Sequence, residues 1–155
     1  MSVELLDFYN IHDRYDGIVD CLSDGFGAIT IPKEHGIPVL LNKLHSGHYI
    51  VMTIVNDEVV ATATGFVEQK LIHAGVEKYK AKNTGSRVMH IEDCATRTNK
   101  RGNGYGTAAI KALHRIAEEE NCYKIILDTS IGNYENFYSK LGYSKSELCL
   151  RKNIK

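Results

Sequence analysis

The chain has 155 residues, and its 19 Lys and Arg residues equal its 19 Asp and Glu residues in number. We expect one domain, covering 1–155, because a chain of this length can bury roughly 70% of the surface that it exposes when unfolded. Zero net charge means that no overall field attracts nucleic acid or an anionic membrane. Any anion must therefore be bound by a local arrangement of donors.

The cysteines and histidines give no sign of a disulfide framework or a metal site. Cys21, Cys94, Cys122 and Cys149 are scattered without a C-x-x-C pair, as is typical of reduced thiols in a cytosolic protein. The seven histidines lack metal-ligand spacing. No signal peptide is visible, and no apolar run reaches the roughly 18 residues of a membrane span. We expect a cytoplasmic protein without a bound metal.

The first 47 residues predict one strand and two helices. Loose alternation predicts the strand over 5–11, and the spacing of apolar residues predicts a helix over 14–22. Pro32 suits the first turn of a second helix, which Gly47 ends. We expect this second helix to bury Val39, Leu40 and Leu44.

The pattern then changes to strands. Residues rich in β-formers predict a hairpin of strands over 49–55 and 59–72, with a turn at 56–58. The polar, basic segment 76–87 predicts an exposed loop, and 88–96 predicts the next strand.

The second half alternates helices and strands around a glycine-rich run. Helical spacing over 107–121 places Ala109, Ile110, Leu113, Ile116 and Ala117 on one face. A strand over 123–129, a helix over 134–141 ending at Gly142, and a last strand over 143–150 follow. This order predicts an α+β or mixed α/β fold, in which helices cover both faces of a mostly antiparallel sheet.

The run Arg101-Gly102-Asn103-Gly104-Tyr105-Gly106-Thr107 lies between a predicted strand and a helix, where glycine lets backbone N–H groups approach a pyrophosphate. A Walker loop is excluded because no lysine follows Gly106. The spacing Gly-x-Gly-x-Gly also differs from the Gly-x-Gly-x-x-Gly of dinucleotide-binding folds.

Two motifs together resemble the GNAT N-acetyltransferase superfamily. Arg101, Gly104 and Gly106 match the order [R/Q]-x-x-G-x-G/A of its coenzyme A loop. The segment 136–143 resembles its late signature FYxKxGF/Y, in which the tyrosine faces the coenzyme thiol. The resemblance implies the GNAT fold, with a central twisted, mostly antiparallel sheet flanked by helices.

Further segments look like the eukaryotic glucosamine-6-phosphate N-acetyltransferases. These segments are His90-Ile91-Glu92-Asp93, 122–128, the VATAT of 60–64 and the K-x-I-H of 70–73. Two features depart from that family: the loop 75–87 is longer, and the spacing from Asn133 to Tyr138 is one residue longer.

This resemblance implies direct transfer of acetyl from acetyl-CoA to the amine of D-glucosamine 6-phosphate within a ternary complex, a step toward UDP-N-acetylglucosamine. It implies catalytic roles for Tyr138, which would protonate the leaving thiolate, and for Glu92 and Asp128, either of which could be the base. Backbone N–H groups near Cys94 and Ala95 would bind the oxyanion. The implied coenzyme-binding residues are Cys94, Ala95, Thr96, Arg101, Gly102, Asn103, Gly104, Tyr105, Gly106, Thr107, Asp128 and Tyr138. The implied sugar-binding residues are Lys70, Leu71, Ile72, His73, Glu92, Asp93, Tyr123, Lys124 and Arg151.

The resemblance also implies a homodimer, in which Arg151 could serve the neighbouring subunit's site. From the residues alone, Glu92 and Asp128 could equally be solvated acids at strand ends, and Arg151 could belong to a solvated tail. Two other functions stay open: a GNAT-fold enzyme that acetylates proteins or peptides, and a non-catalytic sensor that binds acyl-CoA. Retention of Glu92, Asp128 and Tyr138 together argues against the sensor.

Overall fold

The computed structural model describes residues 1–29, 31–72, 85–145 and Lys152. Its strands are β1 (Ser2–Leu5), β2 (His48–Val55), β3 (Glu58–Gln69), β4 (Arg87–Thr96) and β5 (Lys124–Leu127). Its α-helices are α1 (Ile11–Phe26), α2 (Lys33–His45), α3 (Tyr105–Glu119) and α4 (Ile131–Asn136). Short 3-10 helices occupy Thr98–Lys100 and Tyr138–Leu141.

The strands form one sheet in the order β1-β2-β3-β4-β5. Neighbouring strands from β1 to β4 are antiparallel, whereas β5 pairs parallel to β4. A parallel pair needs a crossover connection, and α3 provides it between β4 and β5. The glycine-rich run therefore lies at the start of this crossover, next to the end of β4.

Helices cover both faces of the sheet, as the sequence predicts. On one face, α1 and α2 pack over Ile50, Met52 and Ile54 of β2. On the other face, α3 packs over alternate sheet residues such as Val51 and Met89. Because successive side chains of a strand point to opposite faces, the two cores share the same strands. The predicted apolar face of α3 is confirmed, with Leu113 fully buried in it.

Several predicted boundaries differ from the observed ones. The first strand ends at Leu5, and Ile11 begins α1 instead of ending a strand. In α2, Leu40 and Leu44 pack against the core, but Val39 is 48% exposed and the prediction that it is buried is wrong. Gly47 follows α2 with a positive φ of 76°, as a stop signal should.

The predicted loop at 76–87 is described only at its end. Ser86 is fully buried there, and its N–H donates to the Ile72 carbonyl oxygen at 2.9 Å, so this end of the segment is not exposed. The predicted helix over 134–141 divides into α4 and the 3-10 helix Tyr138–Leu141, which ends at Gly142 as expected.

The predicted last strand begins outside any regular element, because 143–145 form neither helix nor strand. Residues 146–150 lie outside the described part. Among the described residues, no helix is long and apolar enough to cross a membrane.

Candidate active site

The glycine-rich run turns the chain from the end of β4 into α3. Gly102 and Gly104 have φ values of 82° and 80°, a left-handed conformation that favours glycine, and both are exposed. Gly104 is the residue immediately before α3, a helix of 15 residues. The partial positive charge of a helix N-terminus and its free N–H groups favour an anion at this position.

The third glycine is required by packing rather than by backbone conformation. A Cβ atom on Gly106 would lie 2.7 Å from Oγ1 of Thr96, and 3.6 Å from Cζ of Phe137. The start of α3 therefore lies directly against the end of β4 and against the segment that carries Tyr138. Any larger residue at 106 would separate these three elements.

The polar and charged side chains around the run differ in whether they already have a close hydrogen-bond or ion-pair partner. Arg101 is exposed and reaches carbonyl oxygens only at 3.5 Å, whereas Lys100 pairs with Glu58 at 3.1 Å. The Asn103 amide donates to the carbonyl oxygens of Lys100 and Arg101 at 3.0 and 3.2 Å, which stabilises the turn itself. Arg101 is thus better placed than Lys100 to meet an anion.

A bulge interrupts β4 beside this run. Thr62 of β3 pairs with Ala95 and Thr64 pairs with Glu92, so β4 has one more residue than β3 in this interval. Asp93 takes a positive φ of 49° at this point. A bulge leaves the additional residue outside the regular ladder, and this one lies beside the backbone of Cys94 and Ala95.

The bulge also changes which face the following side chains occupy. Ile91 faces the α3 core, while Glu92 and Asp93 both reach Lys43 of α2 on the opposite face. Cys94 then packs against the α3 core, and Ala95 faces the α1 core. Two successive acids therefore lie on one side of β4, with a thiol on the other side.

On the α2 side, the Lys43 ammonium binds both predicted acids. It makes a short ion pair with the Glu92 carboxylate and lies 3.3 Å from Oδ2 of Asp93. His48 adds a second basic group, with Nε2 4.0 Å from Oε1 of Glu92. Burial lowers the pKa of the Lys43 ammonium, but the two carboxylates outweigh it and the net pKa is raised. Lys43 therefore stays charged between the acids.

On the α3 side, Tyr138 is buried in the apolar core against which Cys94 also packs. Its ring lies edge-on to those of Phe137 and Tyr143, with centroids 4.9 and 5.5 Å away. Burial, and then the neighbouring Cys94, raise the pKa of Tyr138 above its usual value. Burial likewise raises the pKa of the Cys94 thiol to about 12. Both groups are protonated at neutral pH.

His114 of α3 supports this aromatic cluster through Tyr143. His114 Nε2 lies 2.8 Å from the Tyr143 hydroxyl, and burial lowers the pKa of His114 below its usual value. The neutral imidazole can accept a hydrogen bond from the Tyr143 hydroxyl, so both groups are paired without a buried charge.

The third predicted acid, Asp128, follows β5 directly and is exposed. In the parallel register, Ile91 lies opposite Leu127, so Glu92 and Asp128 are the next residues along neighbouring strands. Lys124 opens β5, with its ammonium 5.5 Å from the centre of the Tyr123 ring, and both residues are exposed. The structure thus places Glu92 and Asp128 at the same end of the sheet and on the same face.

Of the predicted sugar-binding segment, the structure describes 70–72, which lie at the far end of the β3–β4 hairpin. Lys70 pairs with Glu68 at 2.6 Å, and Leu71 and Ile72 are exposed. His73 and Arg151 lie outside the described residues. The hairpin therefore does not bring 70–72 into contact with the bulge.

Sequence reasoning missed two groups on the α2 face. One is Lys43, whose contact with Glu92 spans 49 residues and leaves no mark in any local pattern. The other is an aromatic row in which His48 and His90 flank Phe66, with ring centroids 5.0 and 4.7 Å apart. The alternation in the predicted hairpin is compatible with a pairing of His48 and Phe66. Only the observed register of β2 and β3 establishes that pairing.

Within the described residues, no three His, Cys, Asp or Glu side chains converge in a way that could hold a metal ion. Cys21 and Cys94 are free thiols, and Cys149 lies outside the described part.

The chain belongs to the acetyltransferase (GNAT) family, because that family's model matches residues 9–143. A curated relative, the glucosamine 6-phosphate N-acetyltransferase of Candida albicans, is 38% identical over 96 residues, which are 62% of this chain and 57% of the relative. The chain thus spans little more than half of that relative's length.

Solved structures share the fold. An acetyltransferase from Trypanosoma brucei superposes with a TM-score of 0.79 at 22% identity, covering 99% of both chains. A predicted acetyltransferase from Clostridium acetobutylicum, solved with acetyl-CoA, has a TM-score of 0.73 at 21% identity and covers 98% of this chain and 95% of its own. These structures confirm the predicted fold class, and the family model confirms the predicted superfamily.

Proposed function

We propose that the protein transfers acetyl from acetyl-CoA to the amine of D-glucosamine 6-phosphate. The observation that carries this proposal is the β4 bulge, where Glu92 and Asp93 lie on one face and Tyr138 lies in the core on the other. The name of the Candida albicans relative supports this choice of acceptor. The structure of the Clostridium acetobutylicum protein with acetyl-CoA supports the choice of donor.

Acetyl-CoA fits the groove between the end of β4 and the start of α3. The pyrophosphate would be bound by backbone N–H groups of 102–107 at the α3 N-terminus, with Arg101 adding charge. The pantetheine arm would pair with the backbone of 94–96, next to the bulge. The thioester would then lie beside the Tyr138 hydroxyl.

Transfer requires a neutral amine, a stabilised oxyanion and a protonated leaving thiolate. Glu92 or Asp128, neighbours on the same face, would take the amine proton directly or through water. The amine attacks the thioester carbonyl, and backbone N–H groups at Cys94 and Ala95 would bind the oxyanion. As the C–S bond breaks, the Tyr138 hydroxyl donates to the coenzyme sulfur. No covalent acetyl-protein intermediate is needed.

The sugar phosphate requires cationic partners. We assign Lys124 and Arg151 to this role, with Lys70 to His73, Asp93 and Tyr123 completing the sugar site. Lys124 suits it because its side chain is exposed and it lies on β5, the strand that Asp128 follows. Because Lys70 already pairs with Glu68, its charge contributes less.

The experiment that tests this function is a thiol-release assay with acetyl-CoA and a panel of amines. We expect turnover with D-glucosamine 6-phosphate and much less with glucosamine, since the phosphate anchor is missing. Turnover with lysine peptides instead would indicate a peptide acetyltransferase. A rise in melting temperature with acetyl-CoA, without turnover of any amine, would indicate a sensor.

We further propose a cytoplasmic homodimer that supplies N-acetyl-D-glucosamine 6-phosphate for UDP-N-acetylglucosamine synthesis. Light scattering on a size-exclusion column would measure the mass, which for a dimer is twice the 17.4 kDa of the chain. Mixed dimers of an Arg151→Ala subunit and a Glu92→Gln subunit would show whether Arg151 serves the partner's site, because they would then regain activity.

A further inference from the structure

The last turn of α1 lies directly against the strand end that leads into the glycine-rich run. A Cβ atom on Gly25 would lie 2.7 Å from Cβ of Ala95, so helix and strand approach more closely than a larger residue would allow. One turn earlier, the Cys21 thiol donates to the Ala95 carbonyl oxygen, 3.8 Å from Sγ. The end of α1 is therefore held at a residue whose backbone borders the proposed oxyanion site.

At this close approach, the Asp24 side chain reaches across to the turn that follows β4. Its carboxylate accepts a short hydrogen bond from the N–H of Thr98, the first residue of the 3-10 helix Thr98–Lys100. The Thr98 hydroxyl donates in return to the Asp24 carbonyl oxygen at 3.4 Å. Because the first N–H groups of a helical turn have no partner within it, Asp24 caps this turn from a different element.

The position of Asp24 within its own helix is unfavourable. It lies in the last turn of α1, where a carboxylate meets the partial negative charge of the helix C-terminus. The hydrogen bond from the Thr98 N–H stabilises the carboxylate and is the main reason why the pKa of Asp24 is lowered. Asp24 is thus ionised at neutral pH, and its contact outside the helix accounts for an acid at this position.

The capped turn leads directly into the residues that would bind the pyrophosphate. Arg101 follows the turn, and its guanidinium reaches back to the Gly25 carbonyl oxygen of α1 at 3.5 Å. The Asn103 amide donates to the Lys100 carbonyl oxygen at 3.0 Å, which joins the glycine-rich run to the end of the turn. Asp24 holds the start of the same turn. A shift of the turn would therefore displace Arg101 and the N–H groups after it together.

We infer that Asp24 is a positioning residue for acetyl-CoA: by capping the turn 98–100, it fixes Arg101 and the backbone N–H groups of 102–107 where the pyrophosphate binds. The inference rests on the proposed coenzyme site and is independent of the acceptor amine. The carboxylate does not bind the coenzyme itself, since two anions repel each other. Its effect is to order the loop before binding, which raises the affinity for a ligand that carries the pyrophosphate.

The first test is titration calorimetry of coenzyme A into the protein. We expect Asp24→Ala to raise the Kd about three- to tenfold, the effect of one lost hydrogen bond. Asp24→Asn keeps an acceptor oxygen for the Thr98 N–H and should recover most of the affinity. The matched control is Asp20→Ala, because Asp20 lies one turn earlier on α1 and its carboxylate is 3.9 Å from Arg97. The Kd of this control should stay within about twofold of the original value.

The second test compares two acetyl donors in the thiol-release assay. S-acetylpantetheine carries the thioester but lacks the pyrophosphate. Asp24→Ala should therefore lower kcat/KM about three- to tenfold with acetyl-CoA and leave kcat/KM with S-acetylpantetheine unchanged. The kcat at saturating acetyl-CoA should also be unchanged. Equal losses with both donors would mean that Asp24 only supports the fold, and would overturn the inference.

The outcomes separate this inference from the proposed function. An unchanged Kd for coenzyme A in Asp24→Ala, or an equal loss of affinity in Asp24→Asn and Asp24→Ala, overturns the inference while the coenzyme site stands. If the original protein does not bind coenzyme A, the inference and the proposed function both fall. Absence of turnover with D-glucosamine 6-phosphate, together with the expected loss of affinity in Asp24→Ala, counts against the proposed acceptor alone.

Discussion

At the scale of single residues, the aromatic cluster around Tyr138 keeps a proton available where charge develops on sulfur. Burial disfavours the phenolate of Tyr138 and also that of Tyr143, whose pKa is raised in the same way. A thiolate is a weaker base than a phenolate, so the neutral phenol stabilises the departing sulfur chiefly by donating a hydrogen bond to it. This hydrogen bond strengthens as the C–S bond breaks.

Replacing Tyr138 by Phe tests this role. We expect kcat to fall about a hundredfold, as for loss of a general acid, while the KM for acetyl-CoA changes little. Steady-state kinetics with varied acetyl-CoA provide the measurement. The matched control is Tyr134→Phe, since Tyr134 belongs to α4 and lies below Lys145 rather than beside Cys94. A large loss of coenzyme affinity in Tyr138→Phe would mean that the residue packs rather than reacts.

The contribution of the ion pair between Lys43 and Glu92 to stability can be measured by itself. We expect a coupling free energy of about 1 kcal/mol between Lys43 and Glu92, because the ion pair is only partly exposed. A double-mutant cycle with Lys43→Met and Glu92→Gln, measured by urea unfolding, gives this value. The pair of Lys33 with Asp16 is the control, since both side chains are more exposed and the coupling should be near zero. Equal coupling in the two cycles would contradict the assignment.

At the scale of elements, the junction between β4 and α3 depends on backbone conformations that only glycine adopts without strain. We expect Gly104→Ala to destabilise the protein by about 1 kcal/mol and to raise the KM for acetyl-CoA, because the loop must distort. Gly132→Ala in α4 is the control: no atom lies near its Cβ position and its φ is not left-handed, so stability should rise slightly. Calorimetry and steady-state kinetics together check both effects.

The elements that were predictable are those whose pattern is local. Apolar spacing identified α3 and its buried face, and alternation identified the β2–β3 hairpin. The strand predicted over 5–11 was wrong because β1 has only four residues and its polar and apolar residues do not alternate in burial. The exposure of Val39 was missed because Pro38 and the packing of α2 against α1, rather than helical spacing, decide which residues it buries.

The candidate site was predictable only as a set of residues, not as an arrangement. Motif spacing selected Glu92, Cys94 and Tyr138, but the face on which each lies depends on one additional residue in β4. Lys43 could not be found because its partners are distant in sequence. Long-range pairing and strand register, which tertiary packing sets, are what the sequence alone leaves open.

At the scale of the whole molecule, buried phenols make stability depend on alkaline pH. A hydrogen bond to Glu120, and then burial, raise the pKa of Tyr49 to about 12, and the pKa values of Tyr138 and Tyr143 are raised as well. Unfolded tyrosines ionise near pH 10, so their stabilising contribution is complete below about pH 10 and is lost as the pH rises toward the folded values.

We therefore expect the free energy of unfolding to fall between pH 9.5 and 11.5 (roughly, from these tyrosine pKa values), with phenolate absorbance appearing as the protein unfolds. Tyr49→Phe should reduce the slope of this fall, since it removes one of the tyrosines whose pKa is raised. Urea unfolding at a series of pH values measures the slope. A slope that Tyr49→Phe leaves unchanged would show that its phenol is not protected in the folded protein.

The additional residue in β4 also separates the two proton transfers of the proposed reaction. The amine gives up its proton on the face that carries Glu92, Asp93 and Lys43, while the sulfur receives one on the face that carries Tyr138. After each turnover one face holds a proton too many and the other a proton too few. Solvent must restore both before the next turnover.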